Sequence, residues 1–192
     1  MRIISGSFKS KKILEPKDKK TRPLKDLTKE SIFNIIRHSN KFRINFANSF
    51  VLDLFSGVGN FALAMARQGA AVTGIEGSEL MVARAQQNAR DNKLDALHFL
   101  AADLSNPLIL PAAAPAFTAA LLDPPRDGAQ QLVLDLAELG VKRILYISCN
   151  PATLARDAGI LATKGYSLVK AGVMDMFPQT SHVEAMALFR KH

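Results

Sequence analysis

The 192-residue sequence predicts an open, doubly wound α/β sheet. Three observations carry this. From Phe50 onward, short apolar runs alternate with longer stretches of helical character. The runs are near-continuous in Val, Ile, Leu, Ala and Phe rather than alternating, as in parallel strands buried on both faces. An acid or the cysteine stands at or beside the carboxyl end of each of the first five runs, where open α/β sheets present chemistry to ligands.

Taken in order, MRIISGSFKSKKILEP reads as a short hairpin, with RIIS and KKILE around a Gly-Ser turn. KDKKTRPL is a polar linker. LKDLTKESIFNIIRH places Leu24, Leu27, Ile32, Ile35 and Ile36 near helical spacing, which predicts an amphipathic helix. Residues 1–48 thus form a basic N-terminal extension and residues 49–192 the main domain. Strands are expected at FVLDLF, AVTGIE, LHFLAAD, TAALLD and RILYIS. Helices are expected between them at NFALAMARQG, SELMVARAQQNARDN, DGAQQLVLDLAELG and ATLARDAGILATKG. YSLVKAGVMDMF and HVEAMALFRK then follow one another across PQTS, which predicts a C-terminal antiparallel hairpin closing a mostly parallel sheet.

The net charge of +8 is uneven. Residues 1–48 hold 13 Lys and Arg against 4 Asp and Glu, a net +9, and the remainder is close to neutral. A basic arm on a neutral body suits the phosphate backbone of a nucleic acid, with Lys9, Lys11, Lys12, Lys19, Lys20 and Arg22 as contacts. One cysteine excludes an internal disulfide, an iron–sulfur cluster and a Cys-rich zinc site, and four scattered histidines show no metal-ligand spacing. With no secretory leader and no long apolar span, the expectation is a cytoplasmic, metal-free monomer.

DLFSGVGNFA follows the first strand and opens a helix. Gly57, Gly59 and Ala62 occupy the small positions of a cofactor-binding turn, flanked by Phe55 and Asn60. Glu76 closes the second strand, where a carboxylate can accept both ribose hydroxyls. Asp53 suits the ammonium of a methionine moiety rather than a dinucleotide pyrophosphate, and Asp103 can accept from an adenine amine. Acids after three consecutive strands, beside these glycines, point to S-adenosylmethionine.

Asp123 ends the fourth strand in LLDPPRDGA, Cys149 the fifth in YISCNPATLARD, and Glu184 begins the last in SHVEAMALF. The last strand runs antiparallel, so its start shares a rim with the carboxyl ends of the others. A filler cysteine is expected mid-strand or on a helix face. A methyl donor, a thiol and two carboxylates fit methylation of carbon 5 of a pyrimidine, which has no lone pair of its own. A thiolate adding to carbon 6 makes carbon 5 nucleophilic, and a base must later remove the carbon 5 proton. Cys149 is the candidate nucleophile and Glu184 the base. Asp123, beside the cofactor, can accept from the uracil ring N–H, and Arg126 can hold a phosphate or carbonyl oxygen. Met174, Met176 and Phe177 are read as packing. His182 can orient Glu184 or contact RNA, and Ser148 and Asn150 can position the Cys149 loop.

DLFSGVGNF, GIEG, QQNAR, DPPRDGA, YISCNPATLARD and DMFPQTSHVEAMALF resemble the bacterial RNA 5-methyluridine methyltransferases, nearest the branch acting on large-subunit ribosomal RNA, over roughly residues 50–190. The resemblance implies a Rossmann-like S-adenosylmethionine-dependent fold, Cys149 as nucleophile, Glu184 as base, and Asp123 with Arg126 on the uracil. It implies Asp53, Glu76 and Asp103 on the cofactor and ribosomal RNA as partner. Residues 1–46 are instead similar to the N-terminus of small-subunit ribosomal RNA guanine-N2 methyltransferases. They do not match the RNA-binding β-barrel, the iron–sulfur cluster or the uridine-holding Phe and Gln of the first family. The chain reads as a hybrid joined near Asn48 to Gly57. Guanine-N2 methylation is the alternative, although Arg126 stands where such enzymes carry an aromatic. A catalytically inert cofactor- or RNA-binding module is the third reading.

Overall fold

A computed structural model describes Ile32, Asn34, residues 47–175 and residues 183–192. The expected hairpin, the linker, most of the amphipathic helix and the PQTS turn lie outside the described residues. So do Lys9, Lys11, Lys12, Lys19, Lys20, Arg22, Met176, Phe177 and His182. Ile32 and Asn34 are both helical; Ile32 is fully buried and Asn34 exposed, as the amphipathic pattern requires.

The strands are β1 (Phe50–Leu54), β2 (Ala71–Glu76), β3 (Leu97–Ala101), β4 (Ala119–Leu122), β5 (Arg143–Ser148), β6 (Tyr166–Met174) and β7 (Glu184–Lys191). The helices are α1 (Asn60–Ala66), α2 (Glu79–Asp91), α3 (Gln130–Glu138) and α4 (Pro151–Thr163). The seven strands form one sheet in the order β3-β2-β1-β4-β5-β7-β6. β2 pairs parallel with β3, β1 with β4 and β4 with β5, while β7 is antiparallel to both β5 and β6. This is the doubly wound sheet with a C-terminal antiparallel pair that the sequence predicts.

The chain divides into two compact units, one of residues 1–49 and 56–102, the other of residues 50–55 and 103–192. In the first, β2 carries Gly74 because Phe99 of β3 lies across it; a Cβ there would sit 2.4 Å from the Phe99 ring. Ser78 caps α2 by accepting from the Met81 amide, with Glu79 in the first turn and Arg90 in the last, each the sign that the helix dipole favours. Met81, Val82, Ala85 and Ala89 form the buried face of α2.

In the second unit every residue of β4 is buried, and Leu121, Leu122, Tyr146, Ile147 and Phe189 are almost wholly inaccessible. Burying each such side chain contributes about 1.5–3 kcal/mol. Pro151 stands in the first turn of α4, where its missing N–H costs nothing, and Asn150 caps the helix by accepting from the Ala152 amide. The end of α3 is closed from the sheet: Lys191 Nζ donates to Ala137 O and Tyr166 Oη to Val141 O.

Several boundaries differ from expectation, three of them next to candidate site residues. β1 stops at Leu54 because Phe55 turns to φ 62°, outside the strand region. β3 stops at Ala101, so Asp103 lies two residues beyond its strand. α3 begins at Gln130 rather than Asp127, because Gly128 (φ 81°) and Ala129 hold a separate turn, with the Ala129 amide donating to Asp157.

Candidate active site

In the first unit the glycine turn and Glu76 are built as one piece. The Gly57 amide donates to Glu76 Oε2 (3.0 Å) and the Ser78 amide to Oε1 (3.1 Å), so each carboxylate oxygen keeps lone-pair capacity for a hydroxyl. The turn is fastened by Ser56 N to Ile75 O and by Gly59 N to Ser56 O. Gly57 has φ 56° and open space where a Cβ would point, leaving room for a ligand against the backbone. Gly59 has φ 86° and is closed off by Leu63 and Phe99, so it serves packing. Ser56 Oγ is buried and has no hydrogen-bond partner among the described residues. The sequence reading missed Asn88, buried on α2 in QQNAR, whose Nδ2 donates to Val58 O and pins the turn from behind. An asparagine on the apolar face of a helix was the available signal.

Asn60 opens α1 and is half-buried. In the second unit Phe55, also half-buried, holds a left-handed backbone that bulky residues rarely adopt, the kind of strain concentrated at functional sites. Asp53 on β1 is buried at 1% exposure, and the Asp123 amide donates to Leu54 O (3.4 Å), tying the two strand ends together. Asp103 is exposed and engaged with its own loop. Oδ1 accepts from the Ser105 hydroxyl and amide, Oδ2 from Asn106 Nδ2, and the Ser105 bonds hold its carboxyl below the usual range.

Cys149 and Glu184 each adjoin the end of the β5–β7 ladder. Ser148 and Ala185 are the last pair of the antiparallel β5–β7 ladder; Cys149 directly follows the one and Glu184 directly precedes the other. Glu184 is half-buried, its Oε2 has no hydrogen-bond partner among the described residues, and burial raises its pKa. Cys149 is partly exposed just past β5, so it is not core filler.

Asp123 is half-buried and Arg126 exposed on the loop after β4. That loop is held by Asn150, read from the sequence only as positioning the Cys149 loop, and by Thr153 and Arg156, which the sequence reading left out. Asn150 Nδ2 and Thr153 Oγ1 donate to Arg126 O (3.0 and 3.2 Å), and Arg156 Nη2 donates to Asp127 O (2.8 Å). Asp157, fully buried, accepts from the Ala129 amide, the Tyr146 hydroxyl and Arg156 Nε. Burial and then the Asp157 hydrogen bond raise the Tyr146 pKa. Ser148 Oγ donates to Asn150 O and accepts from its amide, which gives Ser148 a structural place in the turn. Among the described residues no group of three or more His, Cys, Asp or Glu could hold a metal ion.

Residues 1–149 match the family model described as conserved hypothetical protein 95, and residues 113–192 match tRNA (uracil-5-)-methyltransferase. The chain is 55% identical over 157 residues to the 23S rRNA (uracil(1939)-C(5))-methyltransferase RlmD of Pseudomonas aeruginosa, covering 81% of this chain and 35% of that protein. It is 56% identical to the RlmD of Hahella chejuensis, covering 76% and 34%. The chain thus spans about a third of the length of these curated relatives. The crystal structure of the Pyrococcus abyssi tRNA (uracil-54, C5)-methyltransferase with S-adenosyl-L-homocysteine superposes with a TM-score of 0.70 and 29% identity, over 85% of this chain and 38% of that one. The putative methyltransferase yhhF of Escherichia coli shares the fold along the whole chain and 98% of its own, with a TM-score of 0.67 and 20% identity. The chain therefore belongs to the conserved hypothetical protein 95 family, and its body is homologous to the RNA uracil-C5 methyltransferases, with their S-adenosylmethionine-dependent methyltransferase fold.

Proposed function

We propose that this protein methylates carbon 5 of a uridine in ribosomal RNA through a covalent cysteine adduct. The observation that supports the reading is that Cys149 and Glu184 flank the last pair of the β5–β7 ladder, Ser148 with Ala185, and that Glu184 is a half-buried carboxylate with raised proton affinity. A thiol and a base beside the end of one ladder suit a reaction that adds to one ring carbon and later deprotonates its neighbour.

The residues present fit S-adenosylmethionine. Gly57 leaves open space along its backbone, and Glu76 is held by two amides with capacity for ribose hydroxyls. Asp53, Phe55, Gly59, Asn60, Asp103 and Asp123 complete the proposed binding set. When bound, S-adenosylmethionine supplies an electrophilic methyl group. The Cys149 thiolate adds to uracil carbon 6, and the electron pair of the 5,6 double bond becomes available at carbon 5. Asp123 accepts from the ring N–H, and Arg126 balances charge on a carbonyl or phosphate oxygen. After carbon 5 has gained its methyl group, Glu184 removes the remaining proton there, the double bond reforms and the thiolate departs. The raised pKa of Glu184 matches this step, because a more basic carboxylate is the better proton acceptor once ionised.

The basic extension of residues 1–48 supplies RNA affinity through Lys9, Lys11, Lys12, Lys19, Lys20 and Arg22. Two different family models match, one over residues 1–149 and the other over residues 113–192, which is in keeping with a hybrid origin. A cytoplasmic, metal-free monomer acting on RNA completes the proposal; among the described residues no helix is long and apolar enough to cross a membrane.

The deciding experiment is nucleoside mass spectrometry on unmodified ribosomal RNA incubated with the protein and S-adenosylmethionine. 5-Methyluridine is expected, and Cys149→Ala should lower its yield by about a thousandfold or more while still binding S-adenosylmethionine. N2-methylguanosine, or undiminished turnover by the Cys149→Ala protein, refutes the mechanism.

A further inference from the structure

The helix after Cys149 grips the loop carrying Arg126 through that loop's backbone. Asn150, Thr153 and Arg156 recur every third residue, so they line one face of α4. Asn150 Nδ2 and Thr153 Oγ1 both reach Arg126 O, which has two lone pairs to offer, and Arg156 Nη2 reaches Asp127 O. One residue on, Asp157 takes the Ala129 amide at 2.7 Å. Arg126, Asp127 and Ala129 are thereby gripped from the first two turns of one helix. The Thr153 hydroxyl lies near both Asn150 O (3.0 Å) and Arg126 O, but has one hydrogen. Ser148 Oγ also donates to Asn150 O, which releases that hydrogen for Arg126. Gly128 is required beneath the grip: a Cβ would lie 2.5 Å from Arg156 Nη2 and 2.7 Å from Asp157 Oδ2.

We infer that Asn150, Thr153 and Arg156 form a latch that fixes the Asp123–Arg126 loop to the Cys149 turn. They are positioning residues that set the uracil-holding groups against the nucleophile. The inference rests on the function proposed above, and its geometry stands independently of it. Because the latch grips main-chain carbonyls, it restrains the backbone of the loop at Arg126 and Asp127. Cys149 directly precedes the helix that carries the latch, so the distance between thiol and docked base is set by one rigid piece rather than by two loops that move separately.

Asn150 also caps α4, and the two roles separate by substitution. In Asn150→Asp the carboxylate still accepts from the Ala152 amide, keeping the cap, but the donor to Arg126 O is gone. Thr153→Val removes the second donor at nearly constant shape and adds no charge. Both proteins should melt within a few degrees of wild type and bind S-adenosyl-L-homocysteine equally well. Hydrogen exchange at the Gly128 and Ala129 amides should quicken about tenfold in the double variant. Adduct formation with a 5-fluorouridine-containing RNA should slow about tenfold or more in each single variant, and Thr153→Ser should restore the rate. Unchanged exchange overturns the latch. Faster exchange with adduct formation within twofold of wild type overturns its positioning role. If the wild-type protein itself forms no adduct, the uridine mechanism fails, and the exchange measurement still decides whether the latch exists.

Discussion

At the scale of single residues, Glu184 stabilises the fold least where it is most useful to the reaction. Burial raises its pKa, so the folded protein holds that proton more tightly than the unfolded chain does. Its contribution is therefore fully present below about pH 4, where the unfolded carboxyl is also protonated, and is lost as pH rises through the raised folded value. Glu184→Gln has no charge to bury. It should melt at the same temperature as wild type in acid and above it at neutral pH, while losing methylation. A melting-temperature series from pH 3.5 to 8 checks the sign, and the rate of wild-type turnover should climb over the interval in which stability declines. Tyr146 gives the opposite case, a buried hydroxyl serving structure. Tyr146→Phe leaves Asp157 with the Ala129 amide and Arg156 but without its third donor. The expected loss is about 1–3 kcal/mol in urea unfolding.

Elements carry the next level of the argument, because two turns and two helices hold the chemistry still. Asn88 on α2 supports the glycine turn through Val58 O. Asn88→Ala should cost about 1 kcal/mol of stability and weaken S-adenosyl-L-homocysteine about fivefold by calorimetry, while leaving Cys149 reactivity toward a thiol reagent unchanged. Gly128 supports the other turn. Gly128→Ala meets both a left-handed backbone and the Arg156–Asp157 pair, and should destabilise by about 2–4 kcal/mol. Unfolding measured beside the Asn88→Ala protein ranks the two turns. A smaller loss at Gly128 than at Asn88 contradicts this ranking.

For the whole molecule the decisive feature is the separation of charge from chemistry. The basic excess lies within residues 1–48, and the candidate cofactor-binding and catalytic groups lie from Asp53 onward. RNA binding should fall steeply with salt. Replacing Lys9, Lys11 and Lys12 by Ala should make the dependence of log K on log salt shallower by about 0.7 for each phosphate no longer neutralised. Nitrocellulose binding across a salt series measures that slope, and an unchanged slope would place the RNA-binding surface elsewhere.

The sequence by itself determined the order and type of the elements from Phe50 onward, the mostly parallel sheet with its antiparallel end, and the residues gathered at strand ends. It could do so because parallel strands buried on both faces must read as apolar runs, and glycines and acids at their ends are local signals. It also singled out Cys149 and Glu184, which fall beside the end of the β5–β7 ladder because β7 runs antiparallel. The tertiary structure alone decided what those residues touch. The burial that raises the Glu184 pKa depends on packing around it, which periodicity does not encode. The Asp157–Tyr146–Ala129 cluster joins residues from three elements up to 28 positions apart, and Asn88 reaches Val58 across 30. In sequence, Arg156 and Asp157 look like a solvated pair on a helix, yet Asp157 is completely inaccessible and Arg156 spans to another loop. Polar groups acquire these partners because burial without hydrogen bonds is costly, and which partner each one finds is fixed only when the chain is folded.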